Sequence, residues 1–136
     1  MTAIEYLSQV TYIDRKIQYD LSELEELRLR AESVSSPNLA ENVSHTRSPE
    51  APFVKVLELI WAKQERINRE LAELEQKREE VKSAIERLEN EDERLLLLYR
   101  YIRGMKWEDI GEELHAGRST LFRWHKSALS KIRVPG

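Results

Sequence analysis

Two runs of heptad-spaced apolar residues, separated by a proline-bearing stretch, limit this chain to a small set of folds. Residues 3–34 place Ala3, Val10, Ile17, Leu24 and Ala31 at one core position of the repeat. Tyr6, Ile13, Asp20, Leu27 and Val34 occupy the other, and only Asp20 breaks the seam. A second series runs from Phe53 to about Asn90 without Pro or Gly. There Phe53, Ile60, Ile67, Leu74, Val81 and Leu88 alternate with Leu57, Gln64, Leu71, Arg78 and Ile85. Such stripes bury well only against another helix at a shallow angle. The pattern predicts a long antiparallel coiled-coil helical hairpin over residues 1–91. Leu7, Leu21, Leu29, Val54, Val56, Leu59 and Trp61 lie outside the two seams. They point to further packing, on a second copy in a homodimer or on the rest of the chain. Tyr6, Tyr12 and Tyr19 recur every six or seven residues and read as packing residues.

Between the two series the composition changes. The stretch SSPNLAENVSHTRSPEAP, residues 35–52, is rich in Ser, Asn and Pro. Pro37, Pro49 and Pro52 cannot enter a helix interior without losing a backbone hydrogen bond. A flexible loop over about 35–52 is expected.

The remaining residues, 92–136, predict a small helical domain. Asn90, Glu91 and Asp92 offer an N-cap and first-turn carboxylates for a helix over about 92–103. Gly104 supplies the left-handed residue that ends it. A short helix over 107–115, a turn at Ala116-Gly117 and a helix from Arg118 to about Arg133 follow. Trp107, Ile110, Leu114, Leu121, Trp124, Ala128 and Ile132 have the spacing of a trihelical core, and Gly111 lets the last two helices approach closely. This is a helix-turn-helix pattern.

Charge locates the working end. The chain carries a net charge of -3. Residues 93–136, however, hold 9 basic and 5 acidic side chains. The last helix and tail contain Arg118, Arg123, Lys126, Lys131 and Arg133 and no acidic residue. A basic end on an acidic body suits a polyanionic partner. On a helical wheel Ser119, Arg123, Lys126 and Ser130 oppose Leu121, His125, Ala128 and Ile132, with Phe122 and Ser127 at the edges. Arg reads guanine, hydroxyls reach bases or phosphates, and Phe122 suits a thymine methyl. Lys126, Lys131 and Arg133 suit phosphates, as do Lys106 and Trp107 at the start of the preceding helix. Double-stranded DNA is the expected partner.

The run WEDIGEELHAGRSTLFRWHKSALSKIR resembles the fourth conserved region of bacterial RNA polymerase sigma factors. Trp107, Glu108, Asp109, Ile110 and Gly111 match its first part; Leu121, Trp124, Ala128, Leu129, Ile132 and Arg133 match its second. The layout is also similar to small phage and prophage sigma-like late activators of Gram-positive bacteria. The resemblance implies promoter recognition and contact with the flap of the polymerase β subunit. By position it makes Arg118, Ser119, Thr120, Phe122 and Arg123 the base and backbone readers. Ser119 and Thr120 replace the family's Glu-Arg pair, so the promoter preference of the family does not carry over. Nothing resembles the other sigma regions, which favours an activator or accessory factor.

Enzymatic readings find no support in the residues. The absence of cysteine removes disulfides and thiolate chemistry and suits a reducing cytoplasm. His45, His115 and His125 have no ligand spacing, so neither a metal nor a cofactor is expected. No stretch reads as a membrane span. Two alternatives stand: a phage small terminase subunit, which joins the same elements in a ring, and a purely structural coiled-coil interaction module.

Overall fold

The structure, a computed structural model, describes residues 1–34 and 50–136. It is all-helical among these residues. In chain order the elements are α1, Ala3–Val34, and α2, Glu50–Glu86. Then come α3, Glu91–Leu97, running directly into a π-helical turn, Leu98–Ile102, followed by α4, Trp107–Leu114, and α5, Arg118–Lys131. The loop expected over 35–52 lies outside the described residues as far as position 49. Its end moves, because α2 already starts at Glu50. Pro52 therefore stands in the first helical turn, where amides have no intrahelical acceptor and a missing N–H costs little.

The chain divides into two compact units. One is Arg15–Ala72. Its core is Leu24, Val56, Ile60 and Ile67, with Leu27, Ala31 and Leu57 packed against it. Lys16 pairs with Glu70 at 3.7 Å, while Lys63 reaches both Asp20 at 3.4 Å and Glu23 at 2.9 Å. Partners descend along α2 as they ascend along α1, so the two helices are antiparallel here. The α1 seam is the one the heptads predict, including Asp20, which is only 2% exposed. The α2 seam differs. Glu70 is buried and Lys63 half-buried, whereas Leu71 is 47% exposed. The physical reason is Asp20. A buried carboxylate needs cations, and Lys63 and Arg66, the latter at 3.4 Å, supply them from the polar edge of α2.

The other unit combines Met1–Asp14 with Glu73–Gly136. Tyr6, Leu7 and Val10 of α1 share a core with Val81, Ile85 and Leu88 and with Leu96, Leu97, Tyr101, Ile110, Leu121, Ala128 and Ile132. Each of the Val, Leu and Ile side chains contributes about 1.5–3 kcal/mol when removed from water. The ends of both long helices thus belong to the same core as α3, α4 and α5. A boundary drawn at residue 91 would cut through it. Leu7, outside the predicted seam, is wholly buried in this core. Tyr6 is buried, but Tyr12 and Tyr19 are 67% and 64% exposed, so they are not the packing residues their spacing suggests.

Asn90 caps α3 by accepting from the Glu93 amide at 3.0 Å. The expected helix over 92–103 is broken into α3 and the wide turn, where the Arg103 amide bonds back to the Leu98 carbonyl at 3.0 Å. Gly104 adopts φ +67°, the left-handed conformation expected of it.

Candidate nucleic-acid interface

The sequence WEDIGEELHAGRST places a short helix, a tight turn and a second helix in succession. Lys106 precedes the first turn of α4 without a side-chain cap, leaving that turn's amides free. α4 ends at His115, which takes a left-handed φ of 51°. The Ala116 amide then closes the turn on the Gly111 carbonyl at 3.0 Å. A Cβ on Gly111 would sit 3.0 Å from the Ala116 carbonyl oxygen and 3.4 Å from Leu121, so only glycine fits this crossing comfortably. α5 starts after Gly117, in extended conformation.

Leu121 and Ala128 fasten α5 to the core, with Ile132 just beyond its end. That sets which face stays free. Arg118, Ser119, Phe122, Arg123, Lys126 and Ser130 are exposed, Phe122 at 71%. Arg118, Arg123 and Lys126 form no ion pair among the described residues. Thr120 is half-buried beside them.

The eleven residues singled out from the sequence fall into two groups. Lys106, Trp107, Arg118 and Phe122 line one groove of about 1010 Å³, together with Arg100, Glu108, Glu112 and His125. Ser119, Thr120, Arg123 and Lys126 continue along α5. Ser127 follows Lys126 directly, Lys131 lies at the far end of α5, about 20 Å along the axis from Arg118 at about 1.5 Å per residue, and Arg133 follows beyond the helix. Lys131 donates to Glu93 at 2.9 Å. Burial opposes ionisation of Glu93, but hydrogen bonds from Ser127 and Lys131 hold its carboxyl below the usual range. Ser127 and Lys131 are therefore engaged within the unit. Arg133 lines a separate cleft of about 380 Å³ with Arg87 and Lys131.

Trp107 is also engaged. Its ring meets His125 edge-on at 4.9 Å, and the Arg100 guanidinium lies 4.9 Å from its centroid. Arg100 further donates to the Met105 carbonyl at 2.9 Å. Neither Arg100 nor Tyr101 stands out in the sequence, because their placement depends on the wide turn that brings them to α4 and α5. Four carboxylates of α4, Glu108, Asp109, Glu112 and Glu113, are exposed. They favour approach of a polyanion along α5 rather than along α4.

Among the described residues no group of three acidic, histidine or cysteine side chains is placed to hold a metal ion. None of their helices is long and apolar enough to cross a membrane. The family described as "Protein of unknown function (DUF1492)" matches residues 33–133, and the chain belongs to it. No curated protein and no solved structure matches the chain.

Proposed function

We propose that this DUF1492 protein is a sequence-specific DNA-binding transcription regulator, with α4, the turn and α5 acting as a sigma region 4-like helix-turn-helix. The observation that carries the reading is the free face of α5. Arg118, Arg123 and Lys126 project from it without carboxylate partners among the described residues, beside Ser119 and the exposed Phe122. A side chain already paired within the protein has to break that pair to meet a phosphate; these do not. Arg118 and Arg123 are the readers of base edges, and Lys126 with the α4 N-terminus meets phosphates. Lys131, neutralised by Glu93, has a smaller part than its charge suggests.

In this reading the antiparallel helices form a coiled-coil hairpin that carries the DNA-binding end. Its apolar residues Leu21, Leu29, Val54, Leu59 and Trp61 are exposed, between 41% and 62%. They support a homodimer with two half-sites. The sigma-like motif makes RNA polymerase a second proposed partner, and the same resemblance suggests a phage or prophage setting in the cytoplasm. Selection from random double-stranded DNA with the full chain tests the function. Recovery of a defined motif is expected, and failure to enrich any sequence contradicts it. Mass measurement in solution separates the dimer from the ring of eight or more subunits expected of a small terminase subunit.

A further inference from the structure

His125 lies on the inward side of α5, half-buried, between Leu121 and Ala128. Its Nε2 is 2.7 Å from the Tyr101 hydroxyl oxygen, and the two ring planes lie 16° apart with centroids separated by 5.9 Å. The edge contact with Trp107 comes from α4. One imidazole thus joins α5 to the π-helical turn and to α4, the two elements that hold α5 in place. The contact is best made by a neutral ring. Tyr101 then donates its hydrogen and Nε2 accepts it. Once protonated, His125 becomes a donor at that position, and the Tyr101 hydrogen must find another acceptor.

The Arg100 charge also disfavours the imidazolium. Arg100 faces the site from the π-helical turn, with its guanidinium over the Trp107 ring. Arg118 lines the same groove from α5, as do Lys106 at the start of α4 and the exposed carboxylates Glu108 and Glu112. Burial first, and the Arg100 charge second, push His125 below its ordinary value. Burial pushes the Tyr101 phenol up.

We propose that the Tyr101–His125 contact is a lock that positions α5 for DNA and that protonation of His125 releases it, so that mild acid weakens binding. Tyr101 and His125 are positioning residues here and touch no base. The proposal rests on the DNA-binding reading above. Its sign sets it apart from simple electrostatics. Adding protons to histidines raises positive charge and ordinarily tightens DNA binding. The lock does the reverse.

The test is fluorescence anisotropy of the full chain on its selected DNA from pH 8 to pH 5.5 at constant ionic strength. Loss of about one hydrogen bond corresponds to roughly fivefold weaker binding. That weakening is expected as the pH falls through the folded His125 value, which lies below the ordinary histidine value of about 6.5. His125→Gln, which can still accept from Tyr101, is expected to bind at pH 8 and to lose the acid weakening. Tyr101→Phe is expected to bind about fivefold more weakly at pH 8. Wild-type binding that stays constant or tightens in acid overturns the lock. So does equal weakening in His125→Gln. If the protein binds no DNA at pH 8, the DNA reading fails. The lock is then judged by thermal unfolding of the free protein, where an acid loss of stability absent from His125→Gln is expected. Identical profiles for the two proteins overturn it.

Discussion

Lys131 Nζ donates to Glu93 Oε2 at 2.9 Å and so ties the last turn of α5 to the first turn of α3. The carboxylate is 4% exposed, and the lysine approaches it from the surface. Burying Glu93 is acceptable only because Ser127 and Lys131 satisfy it. The Glu93 carboxyl is held below its ordinary value, so its contribution is complete above that value and is lost as the pH falls through the folded one. Thermal unfolding of Glu93→Gln is expected to show lower stability at pH 7, by about 1–3 kcal/mol, with a smaller difference from wild type near pH 3. A difference that does not shrink in acid would remove the carboxylate from this account.

Gly111 marks the crossing of α4 and α5. Gly111→Val is expected to destabilise the protein by about 1–3 kcal/mol, because the added atoms meet the Ala116 carbonyl and Leu121. Gly104 meets nothing within 4 Å and is constrained only by its φ of +67°. Gly104→Ala is therefore expected to cost only about 1–2 kcal/mol. Chemical denaturation measures both. A tolerated Gly111→Val would show that the helices do not approach so closely.

Asp20 and Glu70 bring two carboxyls together between α1 and α2, both nearly buried. Burial first, and then the Asp20 neighbour, raise Glu70 above its ordinary value. A hydrogen bond with Glu70 first, with Lys63 and Arg66 assisting, lowers Asp20 below its ordinary value. A raised value means that Glu70 favours the folded state most below the ordinary glutamate range and loses that contribution as the pH rises through the folded value. Glu70→Gln copies the protonated form. It is expected to unfold at higher temperature than wild type at pH 8 and to match it near pH 4. Lower stability at pH 8 would mean that the ionised Glu70 is stabilising, through Lys16 at 3.7 Å.

These elements differ in how far the residues alone reveal them. The α1 seam is plain because every position but Asp20 is apolar. The α2 seam is not, since apolar spacing favours Leu71 whereas the charge of Asp20 draws in Lys63 and Arg66. Leu7 is uninformative by itself. Its core partners Val81 and Ile85 lie more than 70 positions away in the chain. On α5 the division of faces is legible, with Leu121 and Ala128 inward and Arg118, Arg123 and Lys126 outward. The engagement of Lys131 is hidden, because Glu93 comes from 38 residues upstream. The π-helical turn has no residue signature, so the meeting of Arg100, Tyr101, Trp107 and His125 emerges only in three dimensions.

The basic residues of α5 should separate by experiment. Arg118→Ala and Arg123→Ala are expected to weaken the selected site by about 1–3 kcal/mol and to relax its sequence preference. Lys126→Ala should weaken all sequences alike. Lys131→Ala should change DNA affinity less than Lys126→Ala, since its charge is already met by Glu93. Parallel affinity measurements on the selected and a scrambled duplex check this order. Equal losses for Lys126→Ala and Lys131→Ala would show that the ion pair opens on DNA.

The free face of α5 is most directly tested by the salt dependence of DNA binding for the full chain and for Arg123→Ala combined with Lys126→Ala. Removing one phosphate-facing charge lowers the slope of log affinity against log salt by about one. Detectable wild-type binding is expected, with weaker binding by the double variant and a slope shallower by about one, because Lys126 meets a phosphate and Arg123 a base. Unchanged affinity and slope in a folded double variant would contradict it.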